Sequence, residues 1–107
     1  MPPIDVPAAG SIRTAPTDGG LLLVLAGEVD AAVVLAFEAS APPPSAGAVV
    51  AVDAAAVTFI GAAGVSLVLR QTAALRAAGR RPELHRPSRA MQRILRLTEL
   101  EAEFTWR

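Results

Sequence analysis

The chain has 107 residues, 52% of them hydrophobic and 19% charged, so one domain with a real core is expected, although many of its apolar residues are alanines that bury little. It has no cysteine and a single histidine, His85, which excludes a disulfide framework and a thiolate metal site and leaves no histidine pair for a metal centre. Ten basic residues, all arginine, balance ten acids, so neither nucleic acid nor an anionic membrane is implied as a partner by bulk charge.

Met1 to Ala9 holds three prolines and no period, and reads as a loose tail before a domain over residues 10–107. Ser11 to Thr14 suits a short edge strand. Pro16 to Gly20 reads as a turn, because Asp18-Gly19-Gly20 supplies the positive φ that a hairpin needs. Leu21 to Ala26 is an apolar strand. Gly27-Glu28-Val29-Asp30 leaves it, and Asp30 is a good N-cap for a helix over Ala31 to Ala39 with Val33, Val34 and Phe37 on one face. The proline run from Ala41 to Gly47 ends that helix and forms a stiff loop.

The chain is organised around the stretch that follows. Ala48 to Val52 is a valine-rich run of the kind found in covered central strands, and Asp53 is expected to end it. Val57 to Ile60 is a second apolar piece leading into the turn Gly61-Ala62-Ala63-Gly64. From Val65 the spacing of Val65, Val68, Leu69, Thr72 and Leu75 predicts an amphipathic helix to Ala78, with Gly79 as its C′ residue. Such a junction leaves backbone N–H groups outward at a helix start, where anions bind in many proteins. Pro82 to His85 fits a short strand near an edge. Ser88 caps a last helix with Met91, Ile94 and Leu95 as its buried stripe, and Leu100, Phe104 and Trp106 pack back on the body. This order predicts an α/β fold: a four-stranded mixed sheet with helices mainly on one face.

Charge is segregated along the chain. Arg70 to Arg96 contains eight arginines and one acid, Glu83. A solvated helix face is preferred as the reading over a basic surface for an acidic partner. The start, MPPIDVPAAG, lacks the basic and apolar regions of a secretory signal. The nearly uncharged run from Ala46 to Leu69 contains Asp53, which costs about 2.5–3.5 kcal/mol at a bilayer centre. A soluble, cytoplasmic domain without membrane insertion is therefore expected.

Three motifs carry a resemblance. They are Leu25-Ala26-Gly27-Glu28-Val29-Asp30, Val52-Asp53 followed by Val57-Thr58-Phe59-Ile60 and the glycine turn, and Pro87-Ser88 running to Leu97-Thr98-Glu99-Leu100. In this order and spacing, from Leu21 to Phe104, the sequence resembles the STAS domain of bacterial anti-sigma-factor antagonists. The resemblance implies a partner-binding surface round Gly27, Glu28, Asp30, Gly61, Ala62, Ala63, Gly64 and Ser66. It implies as partner an anti-sigma factor with a serine-kinase-type ATPase domain, with a homodimer or larger STAS assembly also open, and no cofactor. The sequence departs from the family at one place. The family's phosphoacceptor serine falls at Ala62 and the preceding aspartate at Gly61, and alanine has no hydroxyl to esterify. The switch that would add about −1.5 to −2 charge there is missing.

Function is therefore expected to be that of a non-switching antagonist, or of a non-phosphorylatable STAS subunit in a stress-signalling scaffold or lipid-transport ATPase complex. An enzyme is disfavoured: no acid, base and nucleophile converge in the pattern, and Asp30 and Asp53 read as cap and turn residues. Ser66 lies four residues after Ala62 on the same helix side, in what the sequence makes the first turn, where the helix dipole favours an anion by roughly 0.3–1 kcal/mol. A displacement of about 5–6 Å from the usual acceptor nevertheless defeats most positioned transfers. Thr58 is the nearest alternative hydroxyl.

Overall fold

The computed structural model describes residues 9–40 and 48–107. The loose tail expected over 1–8 and the stiff loop expected over 41–47 lie outside the described residues. Ala9 forms an isolated parallel bridge with Glu28.

Ser11–Thr17 (β1) and Gly20–Val29 (β2) make an antiparallel hairpin, paired from Thr17 opposite Gly20 to Ser11 opposite Ala26. Its loop is only Asp18-Gly19, narrower than the turn expected over Pro16 to Gly20. Gly19 takes the positive φ of 84°, and Pro16 is accommodated because β1 is an edge strand. The strand β2 also runs through Gly27-Glu28-Val29 rather than stopping at Ala26. Asp30 then caps Ala31–Ala39 (α1), its Oδ1 accepting from the Val33 N–H at 3.0 Å, and α1 buries Val34 and Phe37.

Val49–Ile60 (β3) is one strand of 12 residues, not two pieces divided at Asp53. It runs parallel to β2 with register shifts opposite Leu21/Leu22, Val24/Ala26 and Gly27/Glu28. Each shift places an extra residue on β3, which is a β-bulge. Asp53 supports one of them: its Oδ1 accepts from the Ala55 N–H at 3.0 Å, satisfying a donor the bulge takes off the ladder. The short polar side chain thus bends the strand without ending it.

The helix after β3 begins at Ala62, not Val65: Ala62–Gln71 (α2) is capped by Gly61, and Ala73–Ala77 (α3) follows after a break at Thr72. The buried Thr72 hydroxyl donates to the Val68 carbonyl at 2.7 Å and receives the Arg76 guanidinium, a local back-bonding that interrupts the helix. Gly79 ends α3 as predicted, with φ 80° and the paired bonds Gly79 N–H to Arg76 O and Arg80 N–H to Leu75 O.

Glu83–His85 (β4) pairs parallel with Ala51–Asp53. It is not the edge, because Thr105–Trp106 (β5) adds parallel to it beyond a 3-10 turn at Glu101–Glu103. The sheet therefore has five strands in the order β1-β2-β3-β4-β5 rather than four, with β3 at its centre. Ser88 caps Arg89–Leu97 (α4), accepting from the Met91 N–H at 3.2 Å.

Side chains alternate across a strand. Leu23, Leu25 and Val29 of β2, Val52 and Ile60 of β3 and Leu84 of β4 therefore share one face, where Val34, Phe37, Val65, Leu67, Val68, Met91, Leu95 and Phe104 cover them. The helices pack on this face. Phe104 is buried as expected, whereas Trp106 stays partly exposed and donates to the Glu101 carbonyl. Ile94, expected in the buried stripe of α4, is only half-buried at the margin of the core.

Candidate functional site

The parallel strands β2 and β3 end side by side. Glu28 lies opposite Phe59 and Val29 opposite Ile60, and the Gly61 N–H donates to the Val29 carbonyl at 3.2 Å. The helices α1 and α2 therefore start from the same end of the sheet, each at the carboxyl end of its strand. In open α/β sheets this is where ligands and partners are met. Farther along, the helices lie side by side, joined at the surface by Arg70 and Glu38 at 3.2 Å.

The predicted site residues divide by what each does here. Gly27 is buried with φ 69°, so its role is backbone: it turns the end of β2 at the last register shift. Glu28 is half-buried on β2. Asp30 is exposed and committed to its cap. Gly61 has φ −95° and ψ −175° and offers no side-chain cap to α2. Ala62 is the first helical residue and is exposed; Ala63 is half-buried and packs on the core margin. Gly64 is buried inside the first turn of α2 rather than in a turn that precedes the helix. A Cβ there would lie 2.7 Å from Ile60 Cγ1 and 2.9 Å from Val29 Cγ1, so the missing side chain is what lets α2 approach the strand ends. Ser66 is exposed but falls in the second turn, because the helix starts three residues earlier than its apolar period indicates. Thr58 is exposed on β3.

Electrostatically the end of the sheet is asymmetric. The α1 start carries an aspartate on its N–H groups, while the α2 start presents its dipole with no side-chain acceptor. Asp53 is a bulge support and lies 3.8 Å from Arg86. No group of three or more His, Asp or Glu among the described residues is placed to hold a metal ion. None of the described helices is long and apolar enough to cross a membrane.

One titratable group among the described residues is displaced from its ordinary value, and it lies on β4, away from these strand ends. Glu83 is held below its ordinary value, first by a hydrogen bond from His85, whose Nε2 lies 2.9 Å from Oε1. Partial desolvation opposes this, and the positive charges of Arg107 and His85 with an Arg107 hydrogen bond add to it. A carboxylate only accepts, so the imidazole nitrogen is the donor.

Sequence reasoning missed Phe59. It is 52% exposed beside Gly61, and its ring lies 3.6 Å from where a Cβ at Gly61 would sit. An apolar run at a strand end reads as core, and only the bulge at Thr58 turns this aromatic outward. The one available signal was the break in spacing that Thr58 makes between Val57 and Ile60.

The family model described as "Mlab, STAS domain" matches residues 12–104. The fold is similar to that of the anti-sigma factor antagonist SpoIIAA in its unphosphorylated form, with a TM-score of 0.68 and 22% identity, covering 91% of this chain and 88% of that one. It is also similar to an anti-sigma factor antagonist from Mycobacterium paratuberculosis, with a TM-score of 0.62 and 20% identity, covering 96% of this chain and 89% of that one. No curated protein matches the sequence. At these identities the two structures speak to the fold, and the family model speaks to descent. With that model covering both strands, both helix starts and the capped helix α4, the chain belongs to the STAS domain family.

Proposed function

We propose that this STAS domain is a cytoplasmic, non-catalytic regulatory module of the anti-sigma-factor-antagonist type. It binds an anti-sigma factor carrying a serine-kinase-type ATPase domain and so frees a sigma factor. Its contacts gather on the joined ends of β2 and β3: Gly27 to Asp30, Gly61 to Gly64, and the exposed side of α2 through Ser66. The observation that supports this reading is Ala62. An exposed methyl stands at the first residue of α2, at the position that the family resemblance gives to the phosphoacceptor. A permanently uncharged helix start keeps the module in its binding form.

The same alanine suits a second reading, a non-switching STAS subunit of a stress-signalling scaffold or a lipid-transport ATPase complex. Ala62→Glu separates a docking site from bare scaffold, since it places a negative charge on this surface at a position whose side chain meets solvent. Loss of the cognate kinase in a pull-down is the expected result, and unchanged capture overturns the surface. Incubation with that kinase and ATP is expected to leave the intact mass unchanged. A gain that disappears in Ser66→Ala would establish a displaced switch in the second turn, and one that persists would point to Thr58.

A further inference from the structure

Beyond Asp53 the sheet loses a strand on one side. Pairing with β4 ends at Asp53 opposite His85, yet β3 continues to Ile60. Over that half of β3 the neighbour on the open side is α4, tied in by the Ser88 N–H donating to the Ala54 carbonyl at 3.0 Å. Ala55, Ala56, Thr58 and Phe59 are exposed there. Between the strand and the helix runs a groove of about 420 Å³.

The groove has an apolar floor and a basic rim. Ala90, Ile94 and Leu97 follow one another at four and three residues, so α4 carries a second apolar stripe beside Met91 and Leu95, which go to the core. Leu97 is 70% exposed, and Phe59 faces it from β3. Arg89 and Arg93 stand one turn apart on the rim. The neighbouring arginines are matched within the chain: Arg86 with Asp53, Arg96 with Glu101, Arg76 with Glu103 and Arg70 with Glu38. Among the described residues Arg80, Arg81, Arg89 and Arg93 of this stretch have no acidic partner, and of these Arg89 and Arg93 line the groove.

Three features thus coincide: a strand edge with no neighbouring strand among the described residues, an apolar floor and two unmatched arginines. We propose that this groove binds an extended acidic segment of a protein partner, which adds as a strand beside the second half of β3, sets an apolar side chain between Phe59 and Leu97, and presents carboxylates to Arg89 and Arg93. Strand addition uses the main-chain groups of an open edge for affinity and alternate side-chain pockets for selection. Arginine meets a carboxylate in a two-pronged geometry, and the apolar surroundings strengthen it. The surface adjoins the helix start at Ala62 through Phe59 but does not depend on the anti-sigma reading.

The test uses the whole chain as bait for a phage-displayed random dodecapeptide library, followed by synthesis of the most enriched peptide. Enriched sequences are expected to flank an apolar residue with Asp or Glu. Binding is expected to weaken at least tenfold in the doubly substituted Arg89→Glu/Arg93→Glu chain and in Leu97→Asp. All three positions are exposed, and a circular-dichroism melt checks that each variant folds. Backbone amide exchange in the complex is expected to slow between Ala55 and Ile60. Failure to enrich any peptide, enrichment without acids, or affinity indifferent to the charge reversal overturns the proposal. So does a bound peptide that is helical, or a dimer seen by light scattering that the charge reversal dissolves, which would make a second copy the occupant.

Discussion

Three glycines near the strand ends carry different physical loads. At Gly64 a methyl group would collide with Ile60 and Val29. Overpacking of this kind costs about 1–3 kcal/mol, and alanine in a helix recovers about 1 kcal/mol. Gly64→Ala is therefore expected to destabilise by roughly 1 kcal/mol net. At Gly61 the nearest atoms to a new Cβ are ordinary contacts with the Phe59 ring, and φ is negative. Gly61→Ser adds the missing cap to α2 and is expected to stabilise by a few tenths of a kcal/mol, about the usual difference between serine and glycine at this position. Urea denaturation followed by the fluorescence of Trp106 reads both signs. Gly27 sits at positive φ, where its exchange for any other residue strains the backbone whatever the space.

Glu83 gives a pH dependence whose sign is fixed. Its folded pKa lies below its unfolded one, so the folded state binds protons less readily. The resulting stability is fully present above the unfolded value and is lost as pH falls through the folded one. An acid titration of the midpoint of urea unfolding is expected to fall over that window, and to fall less in Glu83→Gln. His85 and Glu83 are two apart on β4 and so on the same face of the strand, which is why the pair can form at all.

At the scale of elements, caps decide where helices start more firmly than apolar period does. Asp30 and Ser88 are legible in the sequence because each is a short polar residue before an apolar run, and both accept the N–H three residues on. Asp30→Ala is expected to cost about 1 kcal/mol of stability, the typical value for a lost cap, in the same urea experiment. The start of α2 was misread because its cap is a glycine and its first residues are Ala62, Ala63 and Gly64, which carry no period. The break at Thr72 was misread for the opposite reason: threonine fits the period, but its hydroxyl competes for the backbone. In β3 the error came from reading Asp53 as a stop, although local bonding to Ala55 lets the strand continue through a bulge.

For the whole molecule, the C-terminal residues close the sheet and the core together. Phe104 is 3% exposed and packs with the α2 and α4 side chains, while Thr105–Trp106 supplies the outer strand. Phe104→Ala is expected to cost about 3–5 kcal/mol, as for other buried aromatics. A domain of this size holds on the order of 5–15 kcal/mol in all, so thermal melting should show a variant close to unfolding at ambient temperature. The central position of β3 has its own measure: amides from Ala51 to Asp53, flanked by β2 and β4, are expected to exchange more slowly than those of the edge strand β1.

The sequence by itself determined the order of elements, both side-chain caps, the C′ glycine, the central strand and the absence of a hydroxyl at Ala62. These are local properties, set by a residue and its neighbours within a turn or a strand. Tertiary structure decided the rest. A strand as short as Thr105–Trp106 has no period to read and exists only because β4 offers it an edge. The register shifts of β3 arise from matching it to β2, and they alone turn Phe59 to solvent. Gly64 reads in the sequence as a turn residue and is a close-packing residue, because only the assembled strands bring Ile60 and Val29 beneath it. The segregated arginines looked like one solvated face. Acids elsewhere in the chain fold onto Arg70, Arg76, Arg86 and Arg96, and of the arginines left without one, Arg89 and Arg93 line the groove.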